Sequence, residues 1–281
     1  LGNVPRKAVI LARGMGKRMR SSVSQASLDP LVEKFAKLGW KPFIPISGKP
    51  FIYHQLRVLA RLGVGEACLV VGPEHLELED HLKRIGCELG IEVSFAIQEK
   101  PLGTADAVLA AKSFAGDDVF LALNGDNFYP PEAVEPLIKA GGRDACYVGG
   151  FRLETLISSG NFGPERVRSF AVMIVDDDLN LVRVVEKPEK PEAYETRYGV
   201  LVNMNLWRFN PAIFEACERV EPHPVRGELE LTAAVQLMID EGLCGVKVIP
   251  LDAWALDLTY SADIEVVERI LRRALGEDLS P

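Results

Sequence analysis

No two of the five cysteines (Cys68, Cys87, Cys146, Cys217, Cys244) form a CxxC pair, and an odd, scattered set excludes a disulfide framework. It reads as reduced thiols in a cytoplasmic protein. The four histidines are as dispersed; only His75 and His81 lie close together, and no cysteine or histidine stands at zinc-finger spacing. A structural metal site is not expected. No run approaches the ~20 apolar residues of a membrane span, and Ala8 to Ala12 is far too short for the core of a secretory signal. Basic residues are the minority, 32 Lys and Arg against 40 Asp and Glu, for a net charge of -8. That balance argues against a nucleic-acid partner, because phosphate backbones demand basic surface. A nucleotide ligand remains open, since it needs only a few local cations. Internal repeats and low-complexity tracts are also lacking.

What is present is apolar sequence in short, regular pieces. The 281 residues are 48% hydrophobic, enough for one sizeable core and too much for wholesale disorder. Ala8 to Ala12 is continuous, as a strand buried on both faces would be. Ile52, Leu56 and Leu59 follow Pro50 at helical spacing until Gly63. Strands are expected at Ala67 to Val71, Val93 to Ile97 and Val119 to Leu123, with a helix from about Thr104 to Ala111. This alternation predicts a largely parallel sheet with crossover helices. Beyond about Arg143 the style changes. Val167 to Val175 and Leu181 to Val185 flank a polar turn and predict a β-hairpin. A helix is expected from about Glu228 to Glu241, ending at Gly242. The last helix is expected to be capped by Ser261, with Asp263 and Glu265 in its first turn. Leu31, Phe35 and Leu38 suggest a short helix within 21–40, either a lid or an elaborated loop. The reading is one α/β domain over 1–281: a Rossmann-like three-layer αβα fold with a predominantly parallel mixed sheet and an added hairpin, its halves meeting near residue 142.

Four constellations carry chemistry. Leu11-Ala12-Arg13-Gly14-Met15-Gly16-Lys17-Arg18-Met19 follows the first strand. Its glycines let backbone N–H groups approach a triphosphate, and Lys17 and Arg18 add positive charge. It is neither a Walker A loop nor a full dinucleotide fingerprint; its plain structural reading is a strand-to-helix turn. Gln98 to Ala107 opens a helix after the third strand, and the Gln98 amide could pair with a base edge while Gly103 lets the chain lie close. The bland reading is a Pro-Gly turn with Thr104 as N-cap. Asn124-Gly125-Asp126 puts a carboxylate at a strand's C-terminal end, where open α/β sheets bind ligands and where Mg²⁺ could be held; the same tripeptide also makes an ordinary turn. Glu186-Lys187-Pro188 offers a hydroxyl acceptor and a phosphate cation, or else an exposed pair on a strand end.

In this order, over nearly the whole chain, the pieces resemble the sugar-1-phosphate nucleotidylyltransferases. The resembling segments are Leu11 to Met19, Lys41 to Pro50, Gln98 to Ala107, Gly125-Asp126, Glu186 to Pro188 and Trp254 to Tyr260. Departures are Arg13 for a small residue, Lys17 for threonine, Trp40 where proline is common before Lys41, and Phe170-Ala171-Val172 where Tyr-Gly-Val is usual. The late segment is one residue longer than the family's.

The resemblance implies transfer of a nucleotidyl group from a nucleoside triphosphate, UTP or dTTP favoured, to a sugar 1-phosphate. Asp126 and Asp257 would hold Mg²⁺, the implied cofactor. Leu11, Ala12, Gly14, Met15, Gly16, Lys17, Arg18, Lys41, Gln98, Pro101, Gly103 and Thr104 would bind the nucleotide, Gln98 and Gly103 at its base and Arg18, with Lys41 as a second candidate, at the leaving pyrophosphate. Glu186, Lys187 and Asn205 would take the sugar phosphate. Arg18, Lys187 and Asp126 would carry the catalysis. The segment Glu228 to Thr232 resembles the family's sugar-side helix. The rivals are a module that senses nucleotide or sugar phosphate without turnover, and a nucleotidylyltransferase with a non-sugar phosphate acceptor. No second activity is expected, hexapeptide repeats being lacking. Oligomeric state is left open, a homo-oligomer being allowed.

Overall fold

In a computed structural model, which describes residues 4–23, 28–167 and 170–276, the apolar runs settle into one large sheet. The strands are β1 (Lys7–Leu11), β2 (Pro45–Ile46), β3 (Lys49–Pro50), β4 (Glu66–Val71), β5 (Glu92–Ile97), β6 (Phe120–Asn124) and β7 (Asn127–Phe128). They continue with β8 (Ala145–Arg152), β9 (Ala171–Val175), β10 (Leu181–Val185), β11 (Leu201–Phe209), β12 (Gly245–Leu251) and β13 (Leu256–Asp257). The nine-stranded sheet runs β10-β9-β11-β6-β1-β4-β5, with β8 pairing β11 and β12. β1, β4, β5 and β6 are parallel; β11 is antiparallel to β6, so the sheet is mixed as expected.

The period of two in the strands sorts the core into two layers. Ala8 and Ile10 face a cluster with Phe51, Ile52 and Leu56 from the helix Phe51–Arg61. Val9 faces the opposite cluster with Val108, Phe214 and Val235, from the helices Thr104–Ala110, Ala212–Arg219 and Leu231–Asp240. All three β1 residues are fully buried, which explains the unbroken apolar run. Val9 and Ile10 each contribute about 1.5–3 kcal/mol, and Ala8 less.

The hairpin β9–β10 is antiparallel. Its turn is tied by Asp176 Oδ1, which accepts from the N–H groups of Asp178 at 3.0 Å and Asn180 at 2.8 Å. Its first strand begins at Ala171 rather than Val167. Val167 closes the short helix Pro164–Val167, and residues 168–169 of the expected strand lie outside those described. Within 21–40 the helix Pro30–Leu38 forms, with Asp29 accepting from the Leu31 N–H at 2.9 Å; residues 24–27 of that insertion also lie outside.

Two further expectations are corrected. The helix placed at Glu228 begins at Leu231, because Leu229 is held in backbone hydrogen bonds by Leu102 and Ala105. Ser261 does not cap the last helix, Asp263–Leu275. Its hydroxyl donates to the Ser22 carbonyl at 2.7 Å, and Asp263 Oδ2 instead accepts from the N–H groups of Thr259 and Tyr260. β8 and β12, unforeseen, carry glycine and proline where strands seldom do. A Cβ at Gly149 would lie 2.7 Å from Leu251 Cδ1, and one at Gly150 equally close to Val248 Cγ1. The close approach of β12 excludes side chains there.

Candidate active site

The parallel strands end on one side of the sheet, and the register brings their ends level: Leu11 lies opposite Asn124, the last residue of β6, and Val70, the last but one of β4. A cleft of about 450 Å³ opens there. Leu11, Gly14, Met15, Gly16, Lys17 and Arg18 from the first loop line it. So do Lys41, Gln98, Pro101, Gly103, Thr104, Asp126, Glu186 and Asn205. Fourteen of the residues singled out from sequence thus share one cavity. Ala12, Asp257 and Lys187 do not line it.

The first loop's two glycines differ in purpose. Gly16 has φ of 54°, and a Cβ on it would lie 2.4 Å from the carbonyl oxygen of Gly39, the residue that ends Pro30–Leu38. Gly16 is therefore a packing requirement. Gly14 meets nothing within 4 Å, so the space above it belongs to the cleft. Lys17 and Arg18 are exposed, Arg18 lying over the Tyr260 ring at 5.9 Å. Ala12 is buried, and its N–H already donates to Val70 O at 2.9 Å.

Two carboxylates meet at the mouth of β6. Asp126 follows Gly125, whose N–H donates to Leu11 O at 2.8 Å, and the Leu258 N–H donates to Asp126 O at 2.9 Å. Asp257 lies on β13, directly opposite Asn127 of β7. Lys41, buried in the turn Lys41–Phe43, forms an ion pair with Asp126. Burial works against its ammonium, but Asp126 and Asp257 outweigh that and raise its pKa above the ordinary value. Asp257 is pushed up, first by burial and then by the charge of Asp126, against the pull of Lys41, Arg166 and a hydrogen bond from Thr259. Arg166 pairs with Asp257 and, at 2.6 Å, with Asp263. Burial opposes the guanidinium, and the two carboxylates hold it charged above its ordinary pKa. Asn161 clasps the Asp257 backbone in both directions, at 2.8 and 3.0 Å. Among the described residues no group of three or more His, Cys, Asp and Glu side chains converges. A pair of hard oxygen donors fits Mg²⁺ that completes its shell with phosphate oxygens and water. It does not fit a closed structural site.

The rest of the lining joins distant segments. Gln98 is buried and gives its amide N–H groups to Gly103 O at 2.9 Å and Asp106 Oδ2 at 2.7 Å. Because a carboxylate only accepts, the Gln98 carbonyl oxygen is what remains for a ligand. Gly103 has φ of 131°, and a Cβ would fall 2.3 Å from Leu229 O. Its glycine is fixed by protein backbone, not by a ligand's approach. Thr104 is not an N-cap for its own helix, which Gly103 precedes. Its hydroxyl accepts from the Leu231 N–H at 2.8 Å and so caps Leu231–Asp240. Asn205 sits at a bulge of β11 between Asn203 and Trp207, with φ of 55°, and its N–H donates to Asn203 Oδ1 at 2.9 Å. Glu186 accepts from the Thr232 hydroxyl at 3.1 Å. Lys187 takes φ of 45° just outside the lining.

Sequence reasoning gave no role to Arg13, Arg226 or Thr259 and marked Glu228 and Glu230 only within a segment resembling a sugar-side helix; all five line the cleft, and Arg166 behind it was missed. The density of charge in Arg226 to Glu230, paired internally at 2.6 Å, was a legible signal. Arg166 had none, since nothing local announces a partner 91 residues away.

The family model described as nucleotidyl transferase matches residues 7–258. Low-salt glycan biosynthesis nucleotidyltransferase Agl11 of Haloferax volcanii is 30% identical over 243 residues, 84% of this chain and 58% of that protein. Glucose-1-phosphate thymidylyltransferase of Streptomyces antibioticus is 31% identical over 278 residues, 98% of this chain and 67% of its own length. This chain therefore spans roughly three fifths to two thirds of those relatives. The solved structure of the inositol-1-phosphate CTP transferase from T. maritima superposes with a TM-score of 0.72, covering all of both chains at 17% identity. That likeness is one of fold. No described helix is long and apolar enough to cross a membrane.

Proposed function

This chain belongs to the nucleotidyl transferase family, and from that premise we propose that it transfers a nucleotidyl group from UTP or dTTP to a sugar 1-phosphate, releasing pyrophosphate. The observation that carries the reading is the convergence of Asp126 and Asp257 with Lys41 beside the glycine loop of the cleft. A sensor has no need of two carboxylates gathered beside a buried lysine.

Phosphoryl chemistry asks mainly for position and charge neutralisation. A phosphate oxygen of the sugar phosphate forms a bond to the α-phosphorus. The bond from that phosphorus to the bridging oxygen breaks, and pyrophosphate leaves with the electron pair. The attacking monoester is largely ionised near neutral pH, with a second pKa of about 6, so no general base is required. Asp126 and Asp257 are the residues that would hold Mg²⁺, which when bound neutralises charge on the reacting phosphates. Lys17 and Arg18 face the β- and γ-phosphates, and Lys41 supplies a fixed charge between the carboxylates and the loop. Gln98 presents its carbonyl oxygen to the base. Glu186 and Asn205 accept from sugar hydroxyls, and Lys187 reaches the sugar phosphate from the rim.

The name of the Streptomyces relative specifies glucose 1-phosphate and thymidylyl transfer; glucose 1-phosphate is accordingly the first acceptor to try. Pyrophosphate release measured with each triphosphate against glucose-, galactose-, mannose- and N-acetylglucosamine-1-phosphate tests the reading. Release that depends on both substrates is expected. Tight nucleotide binding with no release from any pair would make the chain a sensor, and release only with a non-sugar phosphate would move the acceptor.

A further inference from the structure

Arg13 stands in the glycine loop where the resembling family has a small residue, and its side chain is only 10% exposed. The guanidinium lies across Gly72, so close that a Cβ there would fall 2.3 Å from Nε. Nε and Nη2 donate to the Glu74 carboxylate at 3.3 and 3.4 Å, the long end of the hydrogen-bond range. Nη1 is buried and has no hydrogen-bond acceptor among the described residues. A permanently charged group with an unmet buried N–H is destabilised, which an acceptor on a ligand would offset.

Its position narrows what that acceptor can be. Arg13 lines the cleft. In the sheet β1 lies between β6 and β4. Arg13 leans to the β4 side, over Gly72, whereas Asp126 follows β6. The Gln98 N–H donates to Val71 O at 2.9 Å, so Arg13 and Gln98 flank one strand end. That end therefore offers a charged N–H donor and, from Gln98, a carbonyl acceptor.

We propose that Arg13 reads the base. Building on the nucleotide reading above, its Nη1 donates to the C4 carbonyl oxygen of uracil or thymine, which cytosine lacks, and the N3–H of the same base donates to Gln98 Oε1. Cytosine lacks that N3–H and turns a lone pair toward the Gln98 oxygen. Phosphate binding is left to the loop amides, Lys17 and Arg18.

Calorimetric titration of wild type, R13M and R13K with UTP, dTTP, CTP and inorganic tripolyphosphate, each with Mg²⁺, tests this. R13M is expected to weaken UTP and dTTP by at least about tenfold, the value of a charge-assisted hydrogen bond. CTP should shift by less than about threefold and tripolyphosphate not at all. E74Q leaves the guanidinium in place and should preserve the preference of UTP over CTP, a readout that a packing role alone would not spare. If R13M does not fold, R13K, which keeps the stem and charge but not the fork, decides on the same ratios. Equal losses for UTP and tripolyphosphate would make Arg13 a phosphate ligand, and equal losses for UTP and CTP, or none, would also overturn the proposal. A wild type that binds tripolyphosphate and none of the nucleotides would strike the nucleotide reading first and this inference with it.

Discussion

The two walls of the cleft are built by different rules. One wall rises from the ends of the parallel strands β1, β4, β5 and β6, where each strand hands its chain directly to a loop. The other is assembled from an antiparallel region: a bulge at Asn205, the residues after a hairpin, and the extended segment before Leu231. The first wall depends on local order along the chain. The second depends on contacts between segments far apart in sequence, so its shape is set by packing. The carboxylates sit on the seam, Asp126 from the first wall and Asp257 brought across by β13.

The sharpest way to break the comparison is at the seam. Asp126→Asn should lower turnover about a hundredfold or more, in line with removal of a single preorganised electrostatic group, with the thermal midpoint little changed. Near-normal pyrophosphate release by that variant would remove the metal role assigned to it. Next in size are the glycines fixed by backbone. Gly103→Ala, with its Cβ 2.3 Å from Leu229 O, and Gly16→Ala, 2.4 Å from Gly39 O, should each destabilise the fold by about 2–4 kcal/mol in denaturant titrations. Unchanged midpoints would mean that the walls yield more easily than their geometry implies.

On the second wall, Lys187→Ala should raise KM for the sugar phosphate about tenfold and leave that for the triphosphate within about twofold, as loss of one charge-assisted contact would. Equal effects on both would place Lys187 elsewhere in the reaction. Smallest in stability is Gly14→Ala, which meets nothing within 4 Å. It should shift the unfolding free energy by no more than about 0.5 kcal/mol, while triphosphate affinity, read by calorimetry, falls because the added methyl occupies ligand space.

How much of this was legible follows the same divide. The buried run at Ala8 to Ala12 announces β1, and strand ends followed by Gly-rich or Asp-bearing turns announce the first wall. Those signals are local, which is why the lining there matches the residues read from sequence. β8 and β12 stayed hidden because Gly149, Gly150 and Pro250 suppress the strand pattern, although tight packing between the strands is what requires the glycines. The start of the helix at Leu231 was misplaced by three residues because Leu229 answers to Leu102 and Ala105 rather than to its own helix. Arg166 was illegible because its charge has meaning only beside Asp257 and Asp263.

The hydrogen bonds linking Leu102, Ala105 and Thr104 to Leu229 and Leu231 have a dynamic corollary. Solvent cannot reach these amides by fraying of one segment alone, since each is the other's lock. The turn after β5 and the start of the Leu231–Asp240 helix should open as a single cooperative unit, exchanging their hydrogens for deuterium at one common rate. A ligand seated against Gln98 would then slow exchange at Leu229 and Leu231, so that occupancy near the β5 end is felt as rigidity in the neighbouring segment.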